Sequence, residues 1–219
     1  MKTNLLKLTL PAVALMLAAS ANAVPTLTIT DGAGNTASGI ISGPGTLTFN
    51  GAVGDWNINI LSALTFPALG SATTPNIDVG GQDNYKAGSF NGTTIPGGNV
   101  LTIVFTADGF GPVSGPLAAT IGGTQNGGTL TFVTKANGAM LTASGVVGTG
   151  PYSNTKSGVL NNFNGSLQEI ITLTANSSTD FVSLDANLEV VPDSGMTLVL
   201  LGSSLTVLAL FARTRKVVA

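Results

Sequence analysis

The chemistry open to this chain is set by nine carboxylates accompanied by neither an imidazole nor a thiol. Between Val24 and Val190 the acids are Asp31, Asp55, Asp78, Asp83, Asp108, Glu169, Asp180, Asp185 and Glu189, and the 219 residues contain no histidine and no cysteine. Histidine is the commonest general base and transition-metal ligand, so Ser-His-Asp, Cys-His and ordinary zinc chemistry are excluded. Carboxylates are the acid–base groups that remain, and Asp55, Asp78, Asp83 and Asp108 could in principle supply a glycosidase pair. Nothing in their spacing pairs them, and acids scattered over strand ends and turns serve solubility. The expectation is a protein with no catalytic residues and no cofactor.

Two clusters could offer oxygen ligands to calcium. Asp78, Gln82, Asp83, Asn84 and Tyr85 fall within eight positions, and Asp31-Gly32-Ala33-Gly34-Asn35 resembles part of a calcium loop. Neither has EF-hand spacing, so a solvated turn and a hairpin turn are the simpler readings, and no metal site is expected. A ligand platform would need aromatic rings, for which Trp56, Tyr85 and Tyr152 are the candidates. Trp56 is first of all expected as a core anchor. The Asn-x-Ser/Thr triplets at Asn91, Asn164 and Asn176 arise by chance in a chain this rich in Asn, Ser and Thr.

The elements that must carry these residues are strands. Thr26–Thr30, Thr46–Phe49 and Trp56–Ile60 alternate apolar and polar residues with period two, placing Trp56, Ile58 and Ile60 inward and Asn57 and Asn59 outward. Asn99–Ala107, Leu117–Ile121, Thr129–Lys135, Met140–Val147, Gln168–Ala175 and Phe181–Val190 continue the series, making about nine strands. Asp31-Gly32, Asn50-Gly51, Asp108-Gly109, Asn126-Gly127 and Asn137-Gly138 accept positive φ and are the expected reversals. Leu61–Pro96, with Pro67, Pro75 and Pro96, is expected to hold long loops and one or two short strands. No body segment combines helical periodicity with caps. The fold class is therefore all-β, an antiparallel β-sandwich with immunoglobulin-like and jelly-roll topologies both open.

The ends of the chain carry a different signal. Lys2 and Lys7, the apolar run Leu8–Ala19 and Ala21-Asn22-Ala23 have the layout of a signal peptide over residues 1–23, cleaved after Ala23. At the other end Val191-Pro192-Asp193-Ser194-Gly195 precedes 17 uncharged residues, Met196–Ala212, and then Arg213, Arg215 and Lys216. As a helix those 17 residues would span roughly 26 Å, a little short of a hydrocarbon core of about 30 Å. The basic cluster would stay cytoplasmic, which puts residues 24–190 outside the inner membrane as one exported domain. That region has three cations, Lys86, Lys135 and Lys156, against nine acids, a charge of −6, and no nucleic-acid partner is expected of so acidic a surface. Without cysteine its stability must come from sheet packing rather than disulfides.

Residues 191–219 resemble the VPDSG variant of the PEP-CTERM sorting signal. The resemblance implies that Val191, Pro192, Asp193, Ser194 and Gly195 form the motif recognised by an exosortase-like processing enzyme, that 196–212 tethers the precursor to the membrane by a C-terminal transmembrane helix, and that Arg213, Arg215 and Lys216 act as the stop. Only Val217-Val218-Ala219 after the cluster departs from the pattern. Ser166–Thr174, the polar stretch Asn176–Thr179 and Ser183–Val191 resemble the terminal hairpin of such surface proteins. The family implies a non-catalytic structural protein of the cell surface or extracellular matrix of an exopolysaccharide-producing Gram-negative bacterium. The alternative is a carbohydrate-binding or adhesive module, with exopolysaccharide as partner and exposed aromatic rings as its mark.

Overall fold

The structure is a computed structural model, and it describes residues 25–86 and 97–191. The expected signal peptide with Ala21 and Ala23, the sorting residues Pro192–Gly195, the membrane segment 196–212, the stop residues Arg213, Arg215 and Lys216, Asn91 and the side chain of Ile60 lie outside the described residues. Every described element is a strand: β1 (Pro25–Asp31), β2 (Thr36–Ser38), β3 (Ile40–Gly43), β4 (Thr46–Val53), β5 (Trp56–Leu64), β6 (Asn76–Tyr85), β7 (Val100–Gln125), β8 (Thr129–Ala136), β9 (Ala139–Ala143), β10 (Gly150–Thr174) and β11 (Phe181–Val190). All pairings are antiparallel, as the alternating sequence pattern requires.

Two strands far longer than the usual five or six residues organise the rest. β7 has 26 residues and β10 has 25, and they pair along nearly their whole length. The first half of β7 also pairs with β1, and its second half with β11. The second half of β10 also pairs with β8. One layer is therefore β2-β1-β7-β10-β8-β9 and the other is β3-β4-β5-β6-β11-β7-β10, with β7 and β10 crossing from one to the other.

The crossing is built from irregular backbone. Register shifts fall between Leu160 and Phe163, Phe163 and Gly165, and Gly165 and Leu167. Gly111 has φ 122° there, and a β-carbon on it would lie 2.6 Å from the Phe163 carbonyl oxygen, so only glycine fits. Bulges and bends of this kind are how a strand changes sheets. The inward residues of both layers then share one cluster. Leu27, Ile29, Ile103, Phe105, Ile171 and Phe132 come from the first layer, and Ile58, Leu61, Ile77, Val79, Ile121 and Leu188 from the second.

Several expectations are corrected by this arrangement. Asn99–Ala107 and Leu117–Ile121 are two ends of β7, and Asp108-Gly109 is a kink inside that strand rather than a turn. Asn50-Gly51 likewise sits in β4 at a register shift. The stretch Leu61–Pro96, expected to hold long loops and one or two short strands, contains β6, a full ten-residue strand at the middle of the second layer. Its alternation was masked by Gly80, Gly81 and the outward Asn76, Asp78 and Gln82, while Pro67 and Pro75 belong to the preceding connection. Asp31-Gly32, Asn126-Gly127 and Asn137-Gly138 do open or form reversals. Asn137 (φ 48°) and Gly138 (φ 80°) make the two-residue β8–β9 turn with both central residues left-handed.

Trp56 is the anchor expected of it. It is 1% exposed, its indole N–H donates to the Gly98 carbonyl at 2.8 Å, and its ring centroid lies 5.3 Å from that of Tyr85 on the paired strand. Asn57 and Asn59 face solvent, Ile58 the core. Trp56→Ala removes both the ring and the tie to the segment entering β7, so it should cost about 3–5 kcal/mol in chemical denaturation. A cost under about 1 kcal/mol would show that the ring does not hold the core.

Candidate functional site

The outward face of the second layer carries an open polar surface built from regular strands. Cross-strand pairing aligns Ser62, Gly80, Asp185, Gly122 and Ser153 in one row across β5, β6, β11, β7 and β10. Asn59, Gln82, Ser183 and Thr124 form the row on one side, and Asp78, Asn187, Thr120 and Thr155 the row on the other. Because Gly80 and Gly122 flank Asp185, β11 stands as a ridge between two troughs. One is a cavity of about 460 Å³ over Gly122 and Gly123, edged by Thr120, Ser153, Thr155 and Asp185. The other, about 380 Å³, lies over Gly80 and Gly81 and is edged by Asn59, Gln82 and Ser183.

Packing does not demand these two glycines. A β-carbon on Gly80 would meet nothing nearer than Asp185 Oδ1 at 3.5 Å, and one on Gly122 nothing nearer than the Tyr152 carbonyl oxygen at 3.5 Å, both ordinary contacts. Neither has a positive φ. A glycine inside a strand weakens it and leaves room for close approach from outside. Gly123 differs, because a β-carbon there would lie 1.9 Å from the Ser183 carbonyl oxygen.

Asp78 and Asp185, with Glu189 one row further along, supply negative charge on this face. Partial burial, the neighbouring Asp185 charge and a hydrogen bond shared with Asp185 raise the Asp78 pKa to about 6, against a smaller opposing bond from Asn187. Asn187 also donates to Asn76 at 2.7 Å, so the amides around the pair are fixed in orientation. Two carboxyls sharing a hydrogen bond are too close for glycosidase work, which needs about 5 Å or more between them. Among the described residues no group of three or more acids is placed to hold a metal.

The acids singled out from the sequence are distributed otherwise than a catalytic or calcium site requires. Strand alternation turns Asp83 and Tyr85 inward and Asp78 and Gln82 outward, so the 78–85 cluster is a strand rather than a solvated turn and its oxygens do not converge. Asp108 is exposed at the β7 kink, and Asp55 is buried in the β4–β5 turn. The Asp31 carboxylate accepts the backbone N–H groups of Ala33 and Asn35 and the Asn35 amide, which occupies it in the hairpin turn. Asp180 does the same for Asn176 and Ser177.

Trp56, Tyr85 and Tyr152 do not lie together on an exposed face; the exposed ring among the described residues is Phe181, on the outward side of β11. Trp56 and Tyr85, at 1% and 6% exposure, pack on one another in the core. Tyr152 is half-buried, and its hydroxyl donates to the Ser183 carbonyl at 3.1 Å. Burial, and then the charge of Asp83, raises its pKa. Val191, first residue of the expected sorting motif, donates its N–H to Pro116 at 2.9 Å, so the segment entering the tail is pinned to the sheet. The groove itself was missed from the sequence. Its only local trace is a glycine pair on each of two polar-rich strands, Gly80-Gly81 and Gly122-Gly123, and their meeting depends on the order β6-β11-β7.

No protein-family model matches the chain, and no curated protein resembles it. Among solved structures it is similar to TmCBM61 in complex with β-1,4-galactotriose (6% identity over 74% of this chain and 86% of that one, TM-score 0.27). It is also similar to the carbohydrate binding module CBM6cm-2 from Cellvibrio mixtus lichenase 5A in complex with cellotriose (11%, 58% and 85%, TM-score 0.28). A third is the K3 cleaved adhesin domain of Lys-gingipain from Porphyromonas gingivalis (9%, 60% and 74%, TM-score 0.31). Likeness at this level carries no argument about the ligand or role of this chain.

Asp185→Asn removes the like charge beside Asp78, so the Asp78 carboxyl should titrate below its midpoint of about 6, towards the ordinary 3.8. Carbon-detected carboxyl titration reads this directly. An unchanged midpoint would mean that burial alone sets it.

Proposed function

We propose that this chain is an exported, non-catalytic surface module that holds a neutral polysaccharide on the groove face of its second layer. The observation that carries the reading is that Gly80 and Gly122 keep two troughs open although a side chain would fit at each. A matrix component acting only as structural material gains nothing from such openings. The hydroxyls and amides edging the troughs, from Asn59, Gln82, Ser153 and Thr155, match the donor and acceptor pattern of sugar hydroxyls. Asp78 and Asp185 would accept from sugar hydroxyls and repel uronate polymers. The exposed ring on this face among the described residues is Phe181, at its edge beside the row of Gln82 and Ser183, so the polar contacts along the troughs each contribute modestly, on the order of 1 kcal/mol, and retention depends on many repeats along one polymer.

The rest of the proposal comes from the ends of the sequence. Cleavage after Ala23 would release the leader, and an exosortase-like enzyme would act at Val191–Gly195 on a precursor tethered by 196–212 and stopped by Arg213, Arg215 and Lys216. The destination would be the cell surface or matrix of a Gram-negative bacterium. The pinned β11 end at Val191 would place the motif directly beside the folded domain, where loss of the tail leaves the sandwich whole.

Gly80→Val and Gly122→Val fill one trough each with a residue strands accept. Each should weaken retention of the full chain on insoluble cellulose or β-1,4-galactan at least tenfold while leaving the unfolding midpoint nearly unchanged. Wild-type protein that ignores both polymers, or valine variants that bind as well as wild type, would remove the groove as the site. Mass spectrometry of the mature protein from its host should find no peptide from 196–216; intact tail peptides in the surface fraction would indicate a permanent anchor instead.

A further inference from the structure

Two carboxylic acids lie inside the sandwich, one from each layer. Asp83 on β6 is fully buried in the row Ile58, Asp83, Val182 and Gln125, directly behind the groove strand's outward Gln82. Glu169 on β10 is 1% exposed in the row Phe105, Glu169 and Thr134 of the opposite layer. None of their four carboxyl oxygens has a hydrogen-bond partner among the described residues. Thr134, the nearest hydroxyl by register to Glu169, is engaged with Thr142 at 2.8 Å.

An unpaired carboxylate in such a place is among the costliest groups a core can hold, whereas a protonated carboxyl is a moderately polar one. The titratable groups that face these two are all acidic or phenolic. Tyr152 on β10 feels Asp83, and Tyr85, on β6 with Asp83, feels Asp55 of the β4–β5 turn. Glu169 feels Asp78 on β6 and Asp185 on β11 through the floor of the groove. Lys86 and Lys156 are exposed, and Lys135 lies beside Gln168, on the face of its layer opposite to Glu169. Among the described residues no cation therefore compensates either acid from within.

We propose that the groove is proton-gated: the two layers stay closed behind it while Asp83 and Glu169 carry protons, and they part when these ionise. The gate is a property of the fold, and its consequence for ligand release rests on the polysaccharide reading above. Burial raises Asp83 to about 7, and burial followed by the charges of Asp78 and Asp185 raises Glu169 well above the usual range. The folded state then binds more protons than the unfolded one, so stability is complete below the ordinary carboxylate range and is lost as pH rises through neutrality. For Asp83 alone the distance from 3.8 to about 7, roughly three pH units, corresponds to about a thousandfold in the folding equilibrium.

Thermal unfolding of the full chain from pH 5 to pH 9 tests the gate, with Asp83→Asn, Glu169→Gln and the double variant alongside. The wild-type midpoint should fall as pH rises through 7, with a shallower fall in each single variant and the least in the double. Asp108→Asn, exposed at the β7 kink and away from both buried acids, should leave the slope intact. A flat wild-type profile, or an equal slope in the double variant, overturns the proposal. Should a variant not fold, infrared absorption of the wild type at pH 5.5 decides: buried protonated carboxyl bands are expected, and their absence overturns it. Retention on cellulose or galactan should weaken over the same pH range. Failure to bind at any pH would defeat the polysaccharide reading, while the unfolding profile still judges the gate.

Discussion

The structure depends on the antiparallel pairing of β7 with β10, because these two strands belong to both layers. A ribbon of this length cannot stay flat within one sheet of a domain this size, so it folds back on itself, and the glycines and bulges at its middle make that bend available without strain. Once it bends, each half needs lateral partners. β1 and β8 flank one half, β11 and then β6 and β5 the other, and the apolar faces of the two assemblies close on each other. The absence of cysteine is consistent with this economy, since a continuous hydrogen-bonded path with one shared core needs no covalent staple.

The same geometry explains why polar chemistry is divided between the inside and the outside of the second layer. Strand alternation sends Asp78 and Gln82 outward and Asp83 inward from a single segment. The outward groups gather around the β11 ridge, where a partly buried carboxyl pair and fixed amides surround two open troughs. The inward group lies between apolar neighbours, opposite a layer that contributes Glu169. Site and core are two faces of one sheet about one residue thick, so a change of charge on either face is felt on the other. In the proposed gate, that coupling is what links the groove to the protonation of Glu169.

The failure of the aromatic platform is also physical. Trp56 and Tyr85 are cross-strand partners whose positions share the inward face, and two large rings beside one another bury more apolar surface than any other pair here could. A chain with 5% aromatic residues has few rings to place on its surface. The open face is consequently made mostly of hydroxyls, amides, carboxyls and bare glycine backbone, with Phe181 the exposed ring among the described residues.

By itself the sequence determined the class of fold. Period-two alternation in Thr26–Thr30, Thr129–Lys135 and Phe181–Val190, the Asn-Gly and Asp-Gly reversals and the inward Trp56 all follow from local rules, since side-chain direction in a strand is set by the residue's own parity. It also excluded histidine and cysteine chemistry outright, and its two ends carry the whole basis for export and sorting. Tertiary structure decided what parity cannot: that Asp108-Gly109 kinks a strand instead of ending one, that a glycine-rich, proline-flanked segment is the central strand β6, and that Gly80 and Gly122 stand on either side of Asp185. Residues 42 positions apart meet there only because β11, from the far end of the chain, inserts between β6 and β7. Such non-local pairing is governed by the burial of the whole sheet face, and no window of sequence contains it.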